Sequence, residues 1–400
     1  MIKGLFKNDP ITHASNQELV RMLILFVPLT AFLQHFVISA VAIAVALICC
    51  ILPGVRNQIF KAKGSILMAV FFGITVIVYL CYKNYVGFGC AVVFAALFID
   101  AFVARSLATH SFFERLTDMA ILSACLSTVC GIVDYFIHFN IEGFRCKGFY
   151  TNPNFFGLSL SVAIIICAYK VCLRTDQSLL YYAAATFCAI GLYLCGSMSL
   201  WMLCFIAVIL MLLLNRQFKL LSLFLLCVCI ITAILLLVPG PFSRVSEISA
   251  TFGYRKDVWQ GVFRHLGDAP LFGRGFYTYK YLFKEYIAKE LYKEYFMYDA
   301  SLSHNIYLDA LLCHGIIGSA IAGTSFFQYI RSLIDTRKLS KRTGYDARIS
   351  SLIISLLIAL AIYCLIDTTI VLSQTLAAIL FVCSGLGVED NQLKNHSQKD

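Results

Sequence analysis

The sequence predicts an all-α polytopic membrane protein with about twelve transmembrane helices and one long external loop that contains short helices. Three observations predict that fold. First, the chain is 60% hydrophobic and only 14% charged, with a mean hydropathy of +0.82, whereas a soluble domain is near half apolar and about a quarter charged. Such a chain has too little polar surface to cover itself in water. Second, the apolar residues come in continuous runs long enough to cross a hydrocarbon core of about 30 Å, which takes roughly 20 helical residues. The runs lack the alternation of a membrane barrel, and a helix satisfies its own backbone polar groups in lipid. Third, Lys and Arg gather in short connections between the runs, the placement that fixes membrane orientation. That placement accounts for the net charge of +10 without invoking nucleic acid.

In order, the expected spans are 21–36, 38–54, 65–82, 86–104, 118–138, 155–172, 179–195, 198–214, 219–238, 304–330, 349–366 and 369–388. The first two nearly touch and read as a tight hairpin, and no internal repeat is visible. Residues 1–238 are thus expected to hold about nine helices, 239–303 the long external loop, 304–388 about three helices, and 389–400 a cytoplasmic tail. One set of connections carries Arg56, Lys61 and Lys63, then Arg105 and Arg115, Lys170 and Arg174, and Arg216 and Lys219. The last and most basic runs from Arg331 to Arg348. Short basic connections stay in the cytoplasm, which puts both termini there, as an even number of spans requires. The polar residues 1–17 lead straight into successive spans, so no cleavable signal peptide is expected. Most of the 17 cysteines, such as Cys49, Cys50, Cys227 and Cys229, sit in apolar runs as small hydrophobes. No Cys or His spacing suggests a metal site, and no metal or other cofactor is expected.

Two segments on the opposite side carry cations against the orientation rule, which makes those cations candidates for holding an anion. One is Asn140–Asn154 (NIEGFRCKGFYTNPN), with Arg145 and Lys147. The other is Pro239–Ser303, with Arg244, Arg255, Lys256, Arg264, Arg274, Lys280 and Lys284. Within it, Tyr254–Leu266 places Val258, Val262 and Leu266 at helical spacing. Asp268–Gly275 is a turn-rich break. Tyr277–Tyr298, charged and aromatic, reads as a solvated or interfacial helix.

Several motifs follow one another in this region. Arg255 stands four residues before Trp259 in RKDVW, and Pro270–Gly275 reads PLFGRG. Ser303-His304-Asn305 opens a helix, with Gly315-Ile316-Ile317-Gly318 further on. Upstream, Gly148–Gly157 (GFYTNPNFFG) leads into a span. In this order and on this side, the motifs resemble the O-antigen ligase and O-antigen polymerase family of bacterial envelope glycosyltransferases, over roughly residues 140–320. One position departs from the family pattern: in Gly196-Ser197-Met198-Ser199, Met198 stands where the family often carries an Arg.

The resemblance implies a multi-pass enzyme of the bacterial inner membrane, in the glycosyltransferase C-type superfamily. Its donor would be a polyprenyl-diphosphate-linked glycan at the outer face, and its acceptor a glycan hydroxyl, either on another lipid-linked repeat (a polymerase) or on lipid A-core or a protein (a ligase). It implies His304 as the catalytic base and Arg255 as the contact to the diphosphate, with Arg145, Lys147, Arg244, Arg274 and Asn305 as further substrate-binding candidates. A neutral imidazole can take a proton from a sugar hydroxyl, and Arg binds phosphate with a planar fork that Lys lacks. The plain alternatives stand beside these roles: His304 as an interfacial helix cap, and the arginines as solvated charges. Asn152 and Asn154 read as a cap and turn, Gly315 and Gly318 as close packing. Asp309 reads either as a partner of His304 or as a packing-side polar group. No role is expected for Asp100, Asp134 or Asp367. The rival function is a transporter of a lipid-linked or anionic substrate, which would instead favour midplane sites, broken helices and repeats.

Overall fold

The computed structural model describes residues 10–139, 141, 144–173, 176–237, 248–279, 303–343 and 347–397. Those residues form helices, turns and loops, with no strand among them. The helices are α1 (Pro10–Leu29), α2 (His35–Ile51), α3 (Ser65–Tyr82), α4 (Tyr85–Ser106), α5 (His110–His138), α6 (Pro153–Cys172) and α7 (Ser178–Leu194). After these come α8 (Met198–Leu214), α9 (Phe218–Leu237), α10 (Ile248–His265), α11 (Ile306–Thr343), α12 (Arg348–Tyr363), α13 (Ser373–Ser384) and α14 (Leu386–Ser397). Five stretches are long and apolar enough to cross a membrane: α3, α4, α5, α6 and the Ile306–Ser340 part of α11. The chain is therefore a multi-pass membrane protein. On α3, Ile66, Val70, Ile77 and Leu80 are all exposed, a lipid-facing stripe that would not be tolerated in water.

Helix α6 is the hub. It is largely apolar and mostly buried, and it packs against α5, α7, α8, α12 and α13. Small residues let its neighbours approach: an added Cβ at Gly157 would lie 2.5 Å from Leu200 Cδ1, and one at Gly191 of α7 would lie 2.8 Å from Leu160 Cδ1. A second cluster joins α1, α2 and α4 around Val20, Ile38, Leu97 and Val103.

The α1–α2 hairpin is as tight as expected, but α1 starts at Pro10, well before residue 21. Its end is fixed locally. The Thr30 hydroxyl bonds back to the Phe26 and Val27 carbonyls, both at 3.0 Å, a 3₁₀ turn follows, and Gln374 Nε2 donates to the Leu33 carbonyl at 2.6 Å. Helix α11 runs thirteen residues past the expected end at residue 330, to Thr343, because Arg331–Thr343 contains good helix formers and no Gly or Pro. The expected last span, 369–388, begins with a 3₁₀ turn at Thr369–Val371 and is interrupted between α13 and α14. Beyond it, Glu389 accepts the Ser350 amide at 2.9 Å, and Arg105 pairs with Asp390 at 3.0 Å.

Long-range hydrogen bonds sort the connections into two ends. One gathers the turns near residues 33–35, 84, 144–153, 195–197, 269–279, 303–305 and 364–368. The other gathers residues 53–64, 105–110, 170–172, 325–337 and 386–391. The second is the basic end.

Candidate functional site

The site is built where four connections meet at the non-basic end. Helix α11 begins with Asn305 as its cap. The Asn305 Oδ1 accepts the amides of Tyr307 and Leu308 at 3.0 and 3.1 Å, and its Nδ2 donates to the Leu365 carbonyl at 3.0 Å. The Ile306 amide bonds the Cys364 carbonyl at 3.0 Å. The turn after α12 is thereby tied to the start of α11, which places Asp367 against His304. His304 Nδ1 lies 3.8 Å from Asp367 Oδ1.

His304 is held from both sides. Its backbone has a φ of 55°, a left-handed conformation that histidine enters more readily than most residues. The preceding Ser303 is buried; its carbonyl accepts Trp259 Nε1 at 3.0 Å, and its amide points to Asp309 Oδ1 at 3.3 Å. Trp259 belongs to α10, which covers the expected helix 254–266 up to His265 and packs Val258 and Val262 onto Leu312 and Tyr279. Arg255 lies one turn before Trp259 on the same face.

Asp367 is buried, at 2% exposure, and accepts the Thr368 amide at 2.7 Å and Asn154 Nδ2 at 3.0 Å. Burial pushes its carboxyl up. The hydrogen bond and charge of His304, the Thr368 amide and the charge of Arg255 outweigh that and hold it below the ordinary value of 3.8. Asn154 Oδ1 in turn accepts Arg145 Nη2 at 2.7 Å, while Arg145 Nε donates to the Cys195 carbonyl at 2.8 Å. A continuous polar chain thus runs from Arg145 through Asn154 and Asp367 to His304.

The expected residues divide accordingly. The structure pairs His304 with Asp367, sets Arg255 where its charge acts on that carboxylate, links Arg145 to it through Asn154, and gives Asn305 a capping role. Lys147 is exposed, and its backbone amide bonds Asp134 at 3.0 Å. Arg274 sits elsewhere, with its guanidinium 5.8 Å from the Tyr82 ring centre and 3.9 Å from Asp268. Arg244 and most of the expected 277–298 helix lie outside the described residues. Asp367 had no role in the sequence reading, which gave Asn154 only a turn; Asn152 is the actual cap of α6, accepting the Asn154 amide at 2.8 Å. The one signal pointing to Asp367 was its being an acid at a span end.

The PLFGRG turn also has a different use from the one expected of the glycines. Gly315 is not a packing glycine but a break in α11, with φ 62° and ψ −170°. The turn fills the break: the Ile316 and Ile317 amides donate to the Pro270 and Leu271 carbonyls at 2.8 and 2.9 Å, and the Gly275 amide donates to the Cys313 carbonyl at 2.7 Å. Backbone approaches so closely that a Cβ on Gly315 would lie 2.4 Å from Leu271 C. The α3–α4 turn clamps the same loop, with Asn84 Nδ2 donating to the Arg274 and Phe276 carbonyls at 3.1 and 2.9 Å. The two motifs are thus halves of one joint.

Residues 183–323 match the O-antigen ligase family model. That is about a third of the chain, from within α7 to within α11, and it takes in Arg255, Trp259, the 270–275 turn, His304 and the Gly315 break. The resemblance carried by the motifs is therefore independently supported, and it points to an enzyme of glycosyl transfer in O-antigen or polysaccharide assembly. Arg145, Asn154 and Asp367 lie outside the matched stretch and are joined to it by the contacts above. No curated protein matches the chain.

Proposed function

We propose that the protein transfers a glycan from a polyprenyl diphosphate to an acceptor sugar hydroxyl, at the outer face of a bacterial inner membrane, as a ligase or polymerase of the matched family. The observation that carries this reading is the pairing of His304 with Asp367, with the charge of Arg255 acting on that carboxylate and Arg145 linked to it through Asn154, at the end of the bundle away from the basic connections. About twelve spans with both termini cytoplasmic, an external segment 239–303 and a glycosyltransferase C-type architecture complete the reading.

In this scheme His304 is the base. Asp367 orients the imidazole through Nδ1, leaving Nε2 to take the proton of the attacking hydroxyl. The 3.8 Å separation is loose for a hydrogen bond, and catalytic contacts of this kind tighten when substrate binds. Arg255 meets the charge that develops on the departing diphosphate. Arg145 stands in for the arginine that Met198 replaces: its guanidinium reaches the Cys195 carbonyl, beside the turn that leads into α8. The diphosphate is already an activated leaving group, so the scheme calls for no metal.

One observation favours the transporter reading, namely the broken helix at Gly315, since transporters bind substrates at such breaks. Here the freed groups are occupied: besides the three backbone bonds to the loop, the Ala310 carbonyl accepts the Ser319 hydroxyl at 3.0 Å. The break is a joint that positions the His304 end of α11. The deciding experiment is an assay of purified protein with a lipid-linked donor and a candidate acceptor. Arg255→Lys should lose most transfer, because a point charge does not replace the planar fork. Normal turnover by that variant would reduce Arg255 to a surface charge, and no turnover by the wild type with any lipid-linked donor would return the transporter reading.

A further inference from the structure

We propose that the basic end of the bundle, away from the His304 site, binds an anionic phospholipid. Two cavities share the connection between α2 and α3. The first is a groove of about 470 Å³ lined by Phe60, Met68, Phe72, Phe98 and Phe102, with Arg56 also on its wall. The second is a polar pocket of about 320 Å³ lined by Lys61, Lys63, Arg105, Asp335 and Asp390. Phe102 faces the groove, and Ser106, one turn later on α4, faces the pocket. The Ser106 hydroxyl donates to the Gln58 carbonyl at 2.8 Å and pins the shared connection there.

Arg105 makes the pocket a built site. Its side chain is 7% exposed; Nη2 donates to Ser332 Oγ at 2.9 Å and to Asp390 Oδ2 at 3.0 Å, and the guanidinium lies 5.2 Å from the Tyr329 ring centre. Its Nη1 is buried with no hydrogen-bond partner among the described residues. A buried guanidinium N–H calls for an acceptor, and phosphate oxygens suit it best. Lys61 and Lys63 are exposed on the same connection. The three cations outweigh the two acids, and Arg56 adds another at the groove. Phosphate in the pocket with an acyl chain along the aromatic groove uses both cavities, which a soluble anion would not. Basic pockets at this membrane level suit anionic headgroups.

The test is native mass spectrometry of the full-length protein in mild detergent, offered equimolar phosphatidylglycerol and phosphatidylcholine with the same acyl chains. The wild type should retain phosphatidylglycerol preferentially, and rising NaCl should weaken that preference. The double variant Lys61→Ala, Lys63→Ala, changed only at exposed positions, should lower the preference by roughly 10- to 30-fold. Equal retention of both lipids, no response to salt, or an unchanged preference in the double variant would overturn the site. Displacement of the lipid by equimolar inorganic phosphate or glycerol 3-phosphate would overturn the lipid as its occupant.

Discussion

His304 and Asp367 face each other at 3.8 Å across two separate elements, the start of α11 and the turn after α12. The pairing gives the imidazole a fixed orientation and gives the buried carboxylate a polar partner. It also explains why Asp367 stays ionised although burial opposes the charge.

Asp367→Asn keeps the shape and the Asn154 contact region but removes the charge. Transfer should fall about 10- to 100-fold, the usual cost of losing a group that orients a functional histidine. The same variant has a pH signature. A carboxyl held below its unfolded value stabilises the fold above about pH 3.9, and that contribution is lost as pH falls through the still lower folded value. Thermal unfolding of wild type and variant should therefore differ by a constant amount at neutral pH and converge in acid. A gap that widens toward acid would show that Asp367 is not held ionised.

Arg145→Ala leaves the Cys195 carbonyl and Asn154 Oδ1 without their donor. Two lost acceptor partners in a partly buried site should cost about 1–3 kcal/mol of stability, and transfer should fall further than stability does if Arg145 also meets the donor's phosphates. Arg145→Lys restores the charge without the two-pronged geometry and should recover only part of the activity. Full activity in the Ala variant would mean that Arg145 does not replace the arginine missing at Met198.

Much of this was legible in the sequence, and the limits follow from physics. Long apolar runs fix helices because lipid leaves the backbone no other partner, so α3, α4 and α6 fall close to their expected bounds. Helix ends depend on charge and capping, which is why α11 continues through the basic residues 331–343. Short-range chemistry was readable too: Asn305 is placed to cap, and Tyr254–Leu266 has helical spacing. Asp367 was not readable, because what matters about it is its separation from His304 and Asn154 in space, and no local pattern encodes that. Gly315 was misread for a related reason. Close packing and a break both demand glycine, and only the loop carbonyls of Pro270 and Leu271 tell them apart.

That distinction can be measured. At Gly315, alanine would have to adopt a φ of 62° and place its Cβ 2.4 Å from Leu271 C; at Gly273 the Cβ would meet the Cys313 carbonyl oxygen at 2.2 Å. Each substitution should destabilise the protein by about 1–3 kcal/mol or more. Gly323 lies further along the same helix with nothing within 4 Å of an added Cβ, so Gly323→Ala should be neutral or stabilise by up to about 1 kcal/mol. Thermal unfolding of the three variants in one detergent gives the comparison. Equal tolerance at all three positions would mean the loop does not fill the break in α11.

The functional reading depends most on His304. Alanine there would combine loss of the ring with the cost of holding φ at 55°, so a loss of activity would be ambiguous. Asparagine enters the left-handed region readily and keeps a polar side chain, but it cannot accept a proton near neutral pH. His304→Asn should therefore fold like the wild type, keep its donor affinity, and lose transfer by about 10²–10⁴-fold, the usual contribution of a general base. Retained donor binding separates this from damage to Arg255, whose loss should weaken the hold on the diphosphate as well. The chemistry also predicts how the residual rate behaves. With the imidazole gone, transfer should depend on hydroxide and rise steadily with pH, a profile that departs from the wild type's. A His304→Asn variant that transfers at the wild-type rate with the wild-type pH profile would take the base away from this site, and Asp367 would then be a structural anchor for the start of α11.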